Sequence, residues 1–366
     1  MVDARGPGHA NQEVIRRLHV IDDHINPSLL MLPGGRLMAF LSNHNGQRLY
    51  YRIATDPESI IRWGKLRRIR TNSRGGRGFT YPNPVLSGKQ LYLFWRGGNW
   101  QPTYSRILRG GRWARARTLV RGGAGQRPYS KYAPARGGGV LMAFNPAHPR
   151  EGGSSLYFAK LKNGSLVRAS GRRIAGPSKL PIRAGRATLI HSQARTGLAS
   201  WVQDVAATRS GRPVIVYSVY PSQQHHQYRY ARWNGRRWRR HIIVRDAGGT
   251  ISTSFEGHYS GGITLDHRNP SIVYLSRKVG RVFEVEVWRT RNGGRTWSRR
   301  AITSRSPTDN VRPVAPRGLE AGESEVIWMR GNYGRYRTFH TTIFTRAPWA
   351  GRLSNASFGV SRVAAP

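Results

Sequence analysis

VEVWRTRNGGRTW, residues 285–297, is the clearest copy of a unit that recurs along this chain. In it an apolar and aromatic run is followed by Asn-Gly-Gly and ends on a Trp. An Asn-Gly pair between two such runs is typical of a tight β-hairpin turn. A similar run of Tyr or Phe and basic residues recurs in four related segments, of which three contain Gly and two end on Trp: LYYRIATD (49–56), TYSRILRGGRW (103–113), LYFAKLKNG (156–164) and YRYARWNGRRW (228–238).

Apolar hairpins precede these segments. LLMLPGGRLMAFL (29–41) and VLSGKQLYLFW (85–95) each hold two apolar runs around a Gly-containing turn. The starts of the units lie roughly 50 to 70 residues apart, which is the length that a four-stranded antiparallel blade needs. We therefore predict an all-β fold, a seven-bladed β-propeller with six blades as the fallback, in a single domain over residues 1–366. Segment 165–200 is polar and is expected to be an insertion between blades.

The composition is strongly basic. Lys and Arg number 61 against 17 Asp and Glu, a net charge of +44, and only 7 of the 61 are Lys. The planar fork of Arg pairs with carboxylate, sulfate or phosphate at two points, which favours an anionic partner. A bias towards arginine codons in the genome explains the excess of Arg equally well. Net charge by itself says nothing about the fold. The basic residues are dispersed, whereas a nucleic-acid arm is more often a block of like charge.

Polar residues at the hairpin ends are the candidates for chemistry. His24 and His44 are separated by 20 positions around the first hairpin, so an antiparallel pair brings them level. Two adjacent imidazoles can serve as base and acid near neutral pH. Tyr81 and Arg96 flank the second hairpin in the same way. A structural role, such as packing between blades, is the competing interpretation for each of these residues.

A resemblance to a known family covers most of the chain. Residues 22–342 resemble the BNR-4 type propeller proteins, in particular the ulvan lyases and rhamnose–glucuronate lyases. The unit RTRNGGRTW (289–297) is similar to the aspartic box of BNR repeats, with Asn292 in place of the Asp. The segments that carry the wider resemblance are DDHINPSLLMLPGGRLMAFLSNH (22–44), TYPNPVLSGKQLYLFWRG (80–97), RPYSKY (127–132), the His-Pro of NPAHPRE (145–151), YRYARWNGRRW (228–238) and HYSGGITLDHRNPSIVYLSRK (258–278).

The resemblance implies a polysaccharide lyase that cleaves a rhamnose-1,4-glucuronate linkage by β-elimination. Arg96 would neutralise the uronate carboxylate, with Arg127 as a second candidate. Tyr81 and one histidine, His24 as first choice, would exchange protons with C5 and O4 while His44 assists; which group is acid and which is base stays open. The catalytic set is thus His24, His44, Tyr81 and Arg96. The expected substrate-binding residues are Asn26, Arg127, Tyr129, Lys131, Tyr132, His148, His258, Tyr259, Arg277 and Arg312.

Partners and cofactors follow from the same resemblance. The expected partner is an acidic polysaccharide or oligosaccharide bound by a monomer; a membrane or nucleic-acid partner is not expected. The reaction needs no organic cofactor. The resemblance leaves open whether a structural zinc or calcium ion is bound. Several of these lyases hold zinc with a Cys ligand, which this chain lacks. The alternative ligands in this chain are His225, His226, His241 and His258. The family is secreted or periplasmic, yet the first residues show no signal-peptide pattern, so the location stays unassigned.

Two other functions remain open at this level. An exo-acting, α-rhamnosidase-like glycoside hydrolase would share much of this pattern. A non-catalytic propeller that binds acidic glycans would keep the blades and need no histidine pair. A sialidase-like site is disfavoured, because acidic residues are few and five glutamates lie far along the chain from His24, His44, Tyr81, Arg96 and segment 127–132. These five residues are Glu284, Glu286, Glu320, Glu323 and Glu325.

Overall fold

The computed structural model describes residues 2–3, 11–12, 14–17, 20–69, 78–254, 256–318 and 326–345. Contacts between Cα atoms divide the chain into two compact units. The first comprises residues 1–220 and 229–241, and the second comprises residues 221–228 and 242–366. Among the described residues, no helix is long and apolar enough to cross a membrane. Glu320, Glu323 and Glu325 lie outside the described residues.

Antiparallel sheets follow one another along the chain and form the blades. A short pair of strands, β1 (Val2–Asp3) and β2 (Asn11–Gln12), precedes them. Blade 1 consists of β3 (Ser28–Met31), β4 (Leu37–Ser42), β5 (Leu49–Ile53) and β6 (Arg67–Ile69). Blade 2 consists of β7 (Thr80–Ser87), β8 (Gln90–Arg96), β9 (Pro102–Arg106) and β10 (Arg117–Thr118).

The third blade is enlarged. Its six strands are β12 (Tyr129–Pro134), β13 (Val140–Asn145), β14 (Leu156–Lys162), β15 (Ser165–Val167), β16 (Arg173–Ala175) and β18 (Thr188–His191). A parallel pair lies apart from this sheet and consists of β11 (Val120–Arg121) and β17 (Ile182–Arg183). A short helix, α1 (Gln193–Thr196), follows β18. Segment 165–200, expected as an insertion between blades, therefore mostly extends blade 3.

The remaining blades complete the set. Blade 4 consists of β19 (Ala199–Ala207), β20 (Pro213–Tyr220), β21 (Gln227–Trp233) and β22 (Trp238–Val244). Blade 5 consists of β23 (Ile263–Leu265), β24 (Ile272–Val279), β25 (Val282–Arg289) and β26 (Ser298–Ala301). Blade 6 has three strands among the described residues, β27 (Asn310–Val314), β28 (Ile327–Arg335) and β29 (Thr338–Thr345).

The fold is an all-β propeller of six blades. The all-β and propeller predictions are confirmed, as is the fallback of six blades, while the prediction of seven is wrong. One physical reason is the size of blade 3. Its two extra strands take up a length of chain that a seventh blade would need.

Within each unit, hydrophobic cores lie between consecutive blades. Met38 and Phe40 of blade 1 pack with Leu93 and Trp95 of blade 2. Further clusters join blade 2 to blade 3, blade 3 to blade 4, and blade 5 to blade 6. All eight residues of β20 are buried, whereas all four residues of the outermost strand β26 are exposed. An inner strand covered on both faces reads as a continuous apolar run, which explains PVIVYSVY at 213–220.

The Asn-Gly-Gly-Arg-Thr-Trp hairpin between β25 and β26 forms the tight turn that the sequence predicts. The Asn292 side-chain oxygen accepts the backbone N–H of Thr296 at 2.9 Å. Gly294 has φ +100° and donates its backbone N–H to the Thr290 hydroxyl at 2.8 Å. Trp297 donates its indole N–H to the Gly294 carbonyl at 3.0 Å. Asn292 thus performs the hydrogen bonding for which an aspartic box uses Asp.

Candidate active site

The ends of the first two hairpins bring four predicted residues together within the first unit. Strands β3 and β4 pair Ser28 with Phe40, and continuing this register places His24 opposite His44. Their rings stack with centroids 4.0 Å apart and planes 5° from parallel. The Tyr81 ring lies 5.7 Å from that of His24. The Arg96 guanidinium carbon lies 4.8 Å from the centre of the Tyr81 ring.

Asp22, which sequence analysis did not select, holds both imidazoles. One carboxylate oxygen lies 2.6 Å from Nδ1 of His24, and the other lies 2.8 Å from Nδ1 of His44. Burial would raise the pKa of Asp22, but bonds from His24 and His44 outweigh it and lower that pKa. An ionised carboxylate only accepts hydrogen bonds, so both Nδ1 atoms donate, and Nε2 is then the basic nitrogen of each neutral ring. The acidic pair before His24, in the run Asp22-Asp23-His24, was the available signal.

The electrostatics favour a neutral His44. Burial lowers its pKa, and the neighbouring His24 lowers it further, while the bond to Asp22 acts in the opposite direction. The side chains of His24 and His44 keep 12% and 19% of their exposure, whereas that of Asp22 keeps 2%. The carboxylate is therefore sealed behind two imidazoles that still reach solvent. A neutral imidazole beside solvent is a competent general base.

A metal ion does not fit this cluster as it stands. Among the described residues, Asp22, His24 and His44 form the group whose ligand atoms lie within 4.8 Å of one another. Metal ligands must direct lone pairs at a common point. Here both Nδ1 atoms lie at hydrogen-bond distance from the ionised carboxylate, so they carry protons and offer no lone pair to a metal ion. The arrangement suits protons shared between side chains.

Two residues of the alternative histidine set, His225 and His226, make other contacts. Nδ1 of His225 lies 2.9 Å from an Asp246 carboxylate oxygen. His226 is fully buried, and its Nε2 donates to the Gly257 carbonyl at 3.0 Å. His241 and His258 are half-buried. Among the described residues, the group of possible metal ligands consists of Asp22, His24 and His44 and includes none of these four histidines.

Arg96 is held rigidly from two sides. It is 5% exposed, and its Nη2 donates to the Asn45 side-chain oxygen at 2.9 Å. The same oxygen accepts the indole N–H of Trp100 at 2.8 Å. The guanidinium also lies 5.4 Å from the centre of the Tyr129 ring, so it sits between two tyrosine rings. Contact between a guanidinium and aromatic faces adds cation–π stabilisation.

The backbone at the site is strained. Asn45, Tyr81 and Trp100 have φ of +54°, +57° and +60°. Tyr81 lies in a β-bulge between Thr80 and Asn83, and it precedes a proline, which disfavours helical conformations. A non-glycine residue in this region costs about 1 to 3 kcal/mol, and such strain concentrates at functional sites. Asn45 and Trp100 are further residues that sequence analysis missed.

The third and fourth blades add residues beside this cluster. Arg127 lies with its guanidinium carbon 5.0 Å from the Trp100 ring. The Tyr129 ring lies 6.2 Å from that of Tyr81 and 5.6 Å from that of His148. Trp201 of β19, which was not predicted, contacts both Tyr129 and His148. Asn26 and Lys131 are exposed, at the end of the turn containing His24 and on β12.

Two predicted binding residues are engaged in other contacts. Tyr132 is 3% exposed and stacks on Phe94 at 4.2 Å, because side chains alternate along β12 and place it on the face opposite Tyr129. The guanidinium of Arg277 makes two bonds to Glu286, at 2.8 and 2.9 Å. We therefore leave Tyr132 and Arg277 out of the binding set.

The second unit holds the remaining predicted residues. Arg312 lies between two rings, 5.0 Å from Tyr259 and 5.1 Å from Tyr333. It has φ +56°, precedes a proline and lies in a bulge of β27, as Tyr81 does in β7. His258 is half-buried and adjoins Tyr259 in sequence. The inner strands of blades 2 and 6 therefore present Tyr81 and Arg312 in the same local conformation.

Comparison with known proteins gives a family and a fold. The profile of the BNR repeat-containing family matches residues 5–245. An ulvan lyase of polysaccharide lyase family PL25, solved with bound -[GlcA(1-4)Rha3S]-, aligns at 14% identity with a TM-score of 0.66, covering 89% of this chain and 80% of that one. The polysaccharide lyase Uly1 aligns at 13% identity with a TM-score of 0.58, covering 88% and 77%. No curated protein matches.

Proposed function

Because the chain belongs to the BNR repeat-containing family, we propose that its first four blades carry the active site of a polysaccharide lyase acting beside a uronic acid. The observation that carries this proposal is the single Asp22 carboxylate that aligns two stacked histidines next to Tyr81 and Arg96. The ulvan lyase with a similar fold binds a glucuronate–rhamnose sulfate fragment, which supports a substrate of the same class.

The proposed chemistry is β-elimination. Arg96 pairs with the uronate carboxylate and stabilises the charge that grows there as the C5 proton leaves. An imidazole Nε2 of the histidine pair or the Tyr81 hydroxyl removes that proton, and the other group protonates the departing O4. The C5–H and C4–O4 bonds break, a C4=C5 double bond forms, and no water is consumed. Arg127 and Tyr129 belong to the proposed binding surface, as do Asn26, Lys131 and His148.

Hydrolysis is less well supported by the same residues. Most glycoside hydrolases use two carboxyl groups, one of which must be protonated to act as an acid. Here the buried carboxyl of the site, Asp22, has a lowered pKa and is bonded to two histidines, and Asp23 lies 2.9 Å from Nδ1 of His24. His258, Tyr259 and Arg312 of the second unit stay proposed as binding residues for an acidic glycan.

The test is incubation with ulvan and with gum arabic. An eliminase produces an unsaturated uronate, which is followed by its ultraviolet absorbance. New reducing ends without this absorbance would indicate a hydrolase. Binding without any cleavage would indicate a glycan-binding propeller. Either of the last two results would overturn the proposal.

A further inference from the structure

An open cavity lies at the outer strands of blade 3, within the first unit. Its volume is about 350 Å³, which is in the usual range of small-molecule pockets. Residues 173–179, which form β16 and the turn after it, line this cavity together with Arg186, and we call it the blade 3 cavity. In the sheet, β16 is the fourth strand from β12, so at about 4.8 Å for each step it lies roughly 19 Å from the strand that carries Tyr129. The blade 3 cavity is therefore separate from the proposed catalytic cluster.

Five basic side chains surround the blade 3 cavity. Arg173, Lys179 and Arg186 line it. Nη1 of Arg117, from β10 of blade 2, lies 3.4 Å from a backbone carbonyl oxygen of the turn after β16. Nη2 of Arg168 lies 3.5 Å from the carbonyl oxygen of Arg186. Residues from three separate parts of the chain thus bring positive charge to one cavity.

Two of the lining guanidinium groups are fixed by hydrogen bonds that leave further donors for a ligand. Arg186 donates from Nη2 to the Ile174 carbonyl at 3.2 Å, and Arg173 donates from Nη2 to the Ser165 hydroxyl at 3.2 Å. A guanidinium carries five N–H donors, so each group keeps others beyond these bonds. Gly176 lies against Arg173, and a Cβ added at this glycine would come within 3.2 Å of Nη2. The glycine therefore leaves the space that the guanidinium occupies.

No carboxylate balances this charge. Between residues 59 and 203, Glu151 is the only Asp or Glu of the sequence. Within the described part of the chain, none of the five basic side chains forms an ion pair, whereas Arg62 pairs with Asp56 at 2.9 Å and Arg277 pairs with Glu286 at 2.8 Å. Converging charges of one sign that lack a counter-charge attract ions of the opposite sign. The blade 3 cavity is therefore suited to an anion.

We propose that the blade 3 cavity binds a doubly charged tetrahedral oxyanion, phosphate or sulfate, either as the free ion or as an ester on a small molecule. The planar fork of Arg donates two parallel N–H bonds to such an oxyanion, and Lys179 adds a compact point charge. The inference does not depend on the proposed lyase activity. The lining residues belong to segment 165–200, which lies outside the segments that carry the family resemblance.

The experiment measures binding by calorimetry in chloride buffer at constant ionic strength. The probes are inorganic phosphate, inorganic sulfate, glucose 6-phosphate and, as a neutral probe, glucose. The double variant Arg173→Gln/Arg186→Gln removes two forks from the cavity. The control Arg195→Gln/Arg209→Gln removes the same charge at exposed positions outside it. We expect the cavity variant to weaken binding of the oxyanions at least 10-fold, because each fork supplies charged hydrogen bonds. The control should bind like the wild type, and glucose should not bind.

Thermal unfolding gives a second readout. A ligand that binds only the folded chain raises its melting temperature. Phosphate should therefore raise the Tm of the wild type and of the control, in comparison with chloride at the same ionic strength, and leave that of the cavity variant unchanged. The same melting curves identify any variant that fails to fold.

The outcomes distinguish the cavity from the charge of the whole surface. A loss of binding confined to the cavity variant supports the proposal; tighter binding of glucose 6-phosphate than of phosphate then assigns the site to an ester, and equal or weaker binding assigns it to the free ion. An equal loss in both double variants overturns the proposal, because the net charge would then account for the binding. Unchanged binding by the cavity variant, or no binding by the wild type, also overturns it. Cleavage of ulvan is not a readout here, so failure of the lyase proposal leaves this test intact.

Discussion

At the scale of single residues, the site depends on one carboxylate whose two oxygens bond to two different histidines. Asp22 bonds His24 with one and His44 with the other, at 2.6 and 2.8 Å. This fixes the tautomer of both rings, as the aspartate of a catalytic triad fixes that of its histidine. Asp22 is thus a positioning residue in the proposed mechanism, since it acts through the imidazoles.

Replacement of Asp22 by Asn tests that role. Asn accepts only one of the two bonds and carries no charge, so we expect kcat to fall by on the order of 100-fold or more. The negative charge of Asp22 raises the pKa of His44, so its loss should move the acidic limb of the pH–rate profile to lower pH. The measurement is kcat against pH, with Asp56→Asn as control, since the Asp56 side chain keeps 39% of its exposure and bonds only to its neighbours Thr55 and Arg62 among the contacts described. A uniform loss with an unshifted profile would contradict this assignment.

Arg96→Lys tests the bidentate fork. Lys keeps the charge but loses the bond geometry and the stacking between Tyr81 and Tyr129. We expect kcat/KM on a polyuronate to fall about 10- to 100-fold, the equivalent of one charged hydrogen bond. Arg299→Lys on the outer strand β26 is the control and should change activity little. Equal, small effects from both variants at two salt concentrations would remove Arg96 from the mechanism.

At the scale of elements, the hairpin joining β25 to β26 is held by side chains. Asn292 accepts from Thr296 N–H at 2.9 Å and donates to its hydroxyl at 2.7 Å. These bonds close the turn between two strands of blade 5. The hairpin therefore has a structural role that is independent of the proposed chemistry.

Asn292→Ala should lower stability without altering catalysis. The loss of these turn bonds is expected to cost about 1 to 2 kcal/mol, because each such bond is worth about 1 kcal/mol. Asn292→Asp keeps the acceptor oxygen and should cost less. Thermal unfolding measures both variants, and kcat measured well below the transition should match the wild type. An Asn292→Ala protein as stable as the wild type would show that the turn is set by its glycines alone.

At the scale of the whole molecule, charge and buried histidines set the response to conditions. Arginines occur on exposed outer strands such as β26 as well as at the site, so the +44 charge is not confined to the proposed substrate surface. His226 of the second unit is fully buried, and burial lowers its pKa to about 4. The unfolded chain therefore binds a proton at a pH where the folded chain does not.

The pH dependence of stability follows from this difference. The pKa of His226 is lower in the folded chain than in the unfolded chain. Its contribution to the free energy of unfolding is therefore fully present above pH 6.5 and is lost as the pH falls from 6.5 towards about 4. The loss amounts to about 3 kcal/mol, at 1.36 kcal/mol for each unit of pKa. Urea unfolding at several pH values measures it. His226→Gln should flatten this dependence, whereas the exposed His340→Gln should leave it intact; identical slopes in all three proteins would disprove the assignment.

The sequence alone determined what depends on one hairpin at a time. Alternating apolar runs and Asn-Gly turns specify the strands, and antiparallel register brings His24 level with His44 and Tyr81 close to Arg96. These relations are local, because a turn of fixed length sets which residues of its two strands lie opposite each other. The number of blades does not depend on single hairpins, because blade 3 contains two strands more than the four of a regular blade.

Only the tertiary structure decided what depends on contacts between blades. The stack of Arg96 between Tyr81 and Tyr129, and the position of Trp201 against His148, join side chains from blades whose separation in sequence has no fixed register. Tyr132 illustrates the same limit: nothing in RPYSKY states which face of β12 meets the neighbouring blade, and packing against Phe94 places this residue in the core. The burial of Asp22 behind two histidines likewise follows from three-dimensional packing, because a carboxylate becomes a shared acceptor only where both rings converge on it.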